Sequence, residues 1–194
     1  ALASASLQRY VLEQYSGFDR PLAQVPSQPI PLFFAYRSVA QMQAFSVEHF
    51  NHMVKEQLPA ADFCGVAVTD INATRCTVSM THQHANQNPF GSIYFAALAM
   101  AAELSTGAMV IRAVNTAPEA ISMLVLNQNA NFSKKARGTI TFTCDQGGLI
   151  AAAIDETIQT REGVTLWLQG TGVDEDGDVV TVMNFEWTIK VKNP

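Results

Sequence analysis

Asn88-Pro89-Phe90-Gly91-Ser92-Ile93-Tyr94-Phe95-Ala96-Ala97-Leu98-Ala99-Met100-Ala101-Ala102-Glu103 opens the longest apolar stretch of the chain, which runs on to Ile111. Its only carboxylate is Glu103. A carboxylate on an apolar helix loses hydration and needs compensation, from chemistry or from a structural partner. The stretch approaches the roughly 20 residues of a membrane span. It is, however, rich in Ala, interrupted by Ser105, Thr106 and Gly107, and free of flanking Lys/Arg clusters. A helix apolar on all sides in such a chain reads as one buried all round, not one that spans a bilayer.

The rest of the chain supplies what would bury it. Val39, Met42, Phe45, Phe50, Met53 and Val54 give a helix over Tyr36 to Gln57, stopped by Pro59. Strand-like runs follow at Phe63–Ile71 and Arg75–Met80, joined through Asn72-Ala73-Thr74 as a hairpin. Beyond the apolar helix come Ile121–Lys134 and Gly138–Cys144, then Leu149–Thr160, which fits a short helix or a strand. Val164–Val173 and Val179–Val191 flank Asp174-Glu175-Asp176-Gly177-Asp178, a hairpin signal. This order predicts an α+β fold, with an antiparallel sheet wrapped around a central helix at about residues 92–111. Residues 1–31 read as an appendage, a short helix over Leu2–Tyr15 followed by a connector carrying Pro21, Pro26, Pro29 and Pro31. Residues 32–194 form the main domain.

At 194 residues, 48% apolar and 15% charged, the chain is globular in composition. A net charge of −5 argues against a broad nucleic-acid surface. Cys64, Cys76 and Cys144 are an odd number without close spacing, which suits reduced, buried thiols in a cytoplasmic protein. The chain begins at Ala1 without a signal pattern and reads as trimmed from something longer. Metal binding is not expected. His82 and His84 share one face of a strand without a Cys or carboxylate nearby, and Val179 stands where an EF-hand loop at Asp174 needs Gly.

Asn88-x-x-Gly91-Ser92-x-Tyr94-x-Ala96-Ala97-Leu98, with Glu103 behind it, resembles the hotdog-fold acyl-CoA thioesterases, and in particular their phenylacetyl-CoA thioesterase-like branch. Asn88 falls at that branch's loop Asn, Tyr94 at its His, Phe95 and Ala96 at its two glycines, and Glu103 at its acid. Asn129 to Gly138 looks like the family's strand ending in an aromatic, a basic pair and Gly. The resemblance covers roughly residues 45–191.

What it implies is a hotdog domain, paired as a homodimer or dimer of dimers, that hydrolyses an acyl-CoA thioester without a further cofactor. Glu103 would be base or nucleophile, the Phe95 backbone N–H would polarise the carbonyl, Asn88 would hold the water across a dimer interface, and Tyr94 would offer a hydroxyl. Gly91 and Ser92 would line the substrate. So would Thr106, which stands beside Gly107 where some relatives place Ser or Thr. Lys134, Lys135 and Arg137, the one dense basic cluster, would meet coenzyme A phosphates. With Tyr94, Phe95 and Ala96 replacing His and two Gly, a non-catalytic acyl-binding protein is the alternative. A dehydratase of this fold is a weaker reading, since no His falls between Asn88 and Glu103.

Overall fold

The structure, a computed structural model, describes residues 45–192. The appendage anticipated over residues 1–31 lies outside them, as does the first part of the helix anticipated from Tyr36. Helix α1 spans Val47–Gln57, and Ser46 caps it by accepting from the His49 N–H at 3.3 Å. Pro59 opens a second short helix, α2 (Pro59–Phe63), because proline at the first helical position gives up only an N–H that would be unpaired anyway. Strand β1 (Ala67–Ile71) and strand β2 (Cys76–Thr81) form the expected hairpin. The Asn72 side-chain oxygen closes its turn by accepting from the Thr74 and Arg75 N–H groups at 2.8 and 2.9 Å.

The apolar stretch becomes α3, Phe95–Thr116, starting three residues later and ending five later than the sequence reading placed it. Strands β3 (Ile121–Phe132) and β4 (Thr139–Cys144) follow. The undecided segment is a helix, α4 (Gly147–Thr160). Strands β5 (Val164–Val173) and β6 (Val179–Val191) complete the chain. In their hairpin the Asp174 carboxylate accepts from the Asp176 and Asp178 N–H groups at 3.1 and 3.0 Å.

All six strands pair antiparallel in one sheet of order β1-β2-β4-β5-β6-β3, and α3 packs against every one of them. This is the α+β hotdog arrangement that the sequence predicts. By length and composition α3 could cross a membrane, with a mean hydropathy of 1.4, yet here it is the core helix. Val78, Met80, Ile140, Phe142, Leu168, Met183 and Ile189 face it from the sheet, all fully buried. Each such burial stabilises by about 1.5–3 kcal/mol. Helix and sheet meet closely where β5 has no side chain. A Cβ at Gly170 would lie 3.0 Å from the Ala102 carbonyl oxygen and 2.9 Å from the Ser105 hydroxyl. The three cysteines are free and buried.

The helix is not buried all round, however. Phe95 is exposed, and Ala96, Ala99, Met100 and Glu103 are half-buried. Spaced three and four apart, these residues form one open stripe along α3. Strand β3 is a sheet edge, and it leaves Leu124 and Leu126 exposed.

Candidate active site

Two features of α3 define the site. The first is its N-terminus. Tyr94 caps the helix through its backbone only, so no side chain satisfies the first turn. Ala97 and Leu98 donate back to the Tyr94 carbonyl at 3.0 and 3.1 Å. The N–H groups of Phe95 and Ala96 have no acceptor among the described residues. Two free donors at the positive end of a helix dipole suit a developing oxyanion.

Phe95 lines a cavity of about 290 Å³ whose walls also include Pro89, Phe90, Leu98, Phe132 and Lys135. Its mouth is aromatic. Tyr94 and Phe95 meet edge to face at 4.9 Å between ring centroids, and Phe95 meets Phe132 the same way at 6.4 Å.

The second feature is Glu103. Burial pushes its pKa up from the ordinary carboxylate value, and its carboxylate makes no hydrogen bond or ion pair among the described residues. Gly107, one turn on, makes room for it. A Cβ there would lie 2.9 Å from Glu103 Oε1 and 3.3 Å from the Trp187 ring. The acid therefore sits beside an indole, in surroundings that favour its protonated form. Trp187 is itself fixed, donating its indole N–H to the Thr106 hydroxyl at 3.1 Å, while that hydroxyl donates to the Glu103 backbone carbonyl at 2.9 Å.

Thr106 is fully buried, and its hydroxyl bridges helix and sheet. Ser92 lines the cavity from the loop before α3. It is 4% exposed, and its hydroxyl is bonded to the Asn88 amide. Asn88 lines the cavity but serves its own loop. Its amide donates to Ser92 Oγ and the Ile93 carbonyl at 3.0 and 3.2 Å, and its oxygen accepts from the Phe90 N–H at 2.9 Å. With both amide hydrogens in use, it has little capacity left to hold a water. Gly91 takes a φ of +68°, a left-handed turn natural to glycine.

The basic cluster divides. Lys134 is held by Asp174 and Asp178 at 2.6 and 2.7 Å, which raises its pKa. Arg137 donates its Nε–H to the Gly91 carbonyl at 3.1 Å, leaving the rest of its fork exposed. Lys135 is exposed at the cavity wall. The sequence reading missed Trp187. Its partner Thr106 lies 81 residues away, and no local pattern links them.

A central helix wrapped by an antiparallel sheet, with a free helix N-terminus and a desolvated acid, defines a hotdog-class domain. Residues 47–189 match the family described as "Domain of unknown function (DUF4442)", and the chain belongs to that family. Comparison with curated proteins finds no match. Among solved structures, the chain is similar to PA5026 of Pseudomonas aeruginosa, described as "Probable Thioesterase". Their TM-score is 0.64 at 19% identity, over 85% of this chain and 99% of that one. It is also similar to the thioesterase HI1161 of Haemophilus influenzae, with a TM-score of 0.56 at 13% identity over 75% of this chain and 91% of that one. A Chlorobaculum tepidum protein of unknown function gives 0.65 at 13% identity, over 77% and 99%. At these identities the likeness establishes the fold.

Proposed function

We propose that the protein is an acyl-CoA thioesterase in which Glu103 is the catalytic carboxylate. The observation that carries this reading is a desolvated acid without a partner on an open helix stripe, eight residues beyond two free helix N–H donors. Eight residues of helix span about 12 Å, too far for the acid and the donors of one protomer to act on the same carbonyl. Two antiparallel copies of α3, crossing near Ala99, would bring Glu103 of one protomer toward Phe95 of the partner subunit. Ala99 lies at the middle of the open stripe, and its small side chain permits close approach. The exposed edge β3 favours the same pairing, because it carries unpaired backbone groups and apolar side chains. The active form is therefore a homodimer, alone or doubled.

In this site the thioester carbonyl oxygen accepts from the Phe95 and Ala96 N–H groups, which stabilise negative charge as it develops. Glu103 takes a proton from water as the water oxygen attacks the carbonyl carbon, or attacks that carbon itself and is then freed by water. The C–S bond breaks, the proton that Glu103 takes from water passes to the departing thiolate, and the acid is released; in the nucleophilic path that water enters after the thiolate has left. Asn88 positions the loop that precedes the donors, and Lys135 with Arg137 offers charge to coenzyme A phosphates. The Tyr94 hydroxyl is exposed at the mouth and contacts substrate rather than the reacting carbon. A cytoplasmic site, where acyl-CoA is made, agrees with three reduced thiols.

The test is thiol release from a panel of short, long and aromatic acyl-CoAs, with protein mass followed in parallel by light scattering. Turnover of at least one member by a dimeric species is the expected result. A second reading, a non-catalytic acyl-binding protein, is favoured by the Tyr94–Phe95–Phe132 cluster that fills the cavity mouth. Thermal stabilisation by acyl-CoA without any thiol release would select it.

A further inference from the structure

At the other end of α3, about 25 Å from its N-terminus by helix rise, a separate cleft of about 250 Å³ opens between α3 and α4. Met109, Ala113, Ile150 and Ile154 give it an apolar floor. Arg112 reaches the same cleft, half-buried, and its guanidinium makes no hydrogen bond or ion pair among the described residues. Desolvation lowers its pKa, although an arginine stays charged at any physiological pH. A guanidinium partly stripped of water and without a protein partner is free to take an anion in a charge-assisted hydrogen bond.

We propose that this cleft is a second ligand site, taking a short amphiphilic monocarboxylate with its head on the Arg112 guanidinium and its alkyl part on Met109, Ile150 and Ile154. The planar fork of arginine matches a carboxylate in two parallel hydrogen bonds. The cleft has room for a short chain such as that of hexanoate, with its open side toward solvent. Asp155, exposed at the open edge, lines the cleft but forms no ion pair with Arg112. Its charge disfavours a dianion such as phosphate more than a monoanion, and so selects the carboxylate. The site is independent of the thioesterase reading, since it takes the carboxylate whatever its source.

Sodium hexanoate titrated into the whole protein, followed by amide and Arg112 side-chain NMR shifts, tests this. Saturating shifts at Arg112, Ala113 and Ala151, with Kd on the order of 1 mM, are expected. Hexan-1-ol, which keeps the tail and lacks the charge, binds at least about tenfold more weakly. Arg112→Met weakens hexanoate by a similar factor, and Asp155→Asn tightens it about two- to threefold by removing a like charge. Equal binding of hexanoate and hexan-1-ol to the unaltered protein, or shifts confined to Phe95 and Phe132, would overturn the proposal. Neither outcome depends on how the Arg112 variant folds or on any hydrolysis.

Discussion

Glu103→Gln is expected to lower thiol release from the preferred acyl-CoA at least about a hundredfold, which corresponds to about 2.7 kcal/mol of transition-state stabilisation. Glutamine keeps the shape of the side chain in its seat beside Gly107 and Trp187 but can neither accept a proton from water nor attack a carbonyl. Two alternatives for Glu103 separate here. A structural acid would be hydrogen-bonded, and its loss would reduce stability. This carboxylate has no such partner among the described residues, so the neutral variant should fold at least as well.

The sign with pH follows from the raised pKa. Below the unfolded-state value both folded and unfolded forms are protonated, and the acid costs nothing. As pH rises through the folded-state value, the native state must carry a desolvated charge and loses stability relative to the variant. Glu103→Gln should therefore raise the unfolding midpoint at pH 8 and leave it unchanged near pH 4. Thiol release within threefold of the unaltered enzyme would remove Glu103 from the chemistry.

Phe142→Ala should cost about 3–5 kcal/mol of stability. Phe142 is fully buried on β4, and its ring lies over Gly172 of β5. A Cβ at Gly172 would be 2.7 Å from the ring edge, so the sheet has been shaped to that one aromatic. With glycine opposite, no neighbouring side chain is placed to fill the void, and cavity formation adds to the lost burial. For a chain of this size the unfolding midpoint should fall by about 6–20 °C, measurable by circular dichroism or calorimetry. A fall under about 3 °C would mean that the core around the central helix is not packed as described.

Much of the fold was legible in the sequence because its signals are local. The pair Val164–Val173 and Val179–Val191 alternates cleanly around an Asp/Gly turn, and the structure places both strands at those bounds. The core helix announced itself by composition. Leu149–Thr160 stayed undecided because Ala151-Ala152-Ala153-Ile154 carries neither alternation nor a clear amphipathic face, and it becomes helical where α3 gives it a surface to cover. Among the described residues, the Ser46 hydroxyl caps the helix that ends at Gln57, a local signal that the apolar spacing alone does not carry.

The site was less legible, since its decisive contacts are remote in sequence. Lys134 belongs to a basic cluster in the sequence, but its ion-pair partners, Asp174 and Asp178, lie forty and more residues on. Thr106 meets its indole partner, Trp187 of β6, only across 81 residues of sequence. Glu103 and the Phe95 amide could be proposed from the motif alone. Their separation along α3, about 12 Å by helix rise, is set by the helix geometry.

The most direct test of Glu103 as the working carboxylate is the pH dependence of kcat/KM for the preferred acyl-CoA. Only the ionised form can act as base or nucleophile, so activity must fall as Glu103 takes up a proton. Because burial raises its pKa, the acid limb should lie clearly above the ordinary glutamate value of about 4.3. A limb at or below that ordinary value, in an enzyme still folded there by circular dichroism, would contradict the assignment of a desolvated Glu103 as the group that does the chemistry.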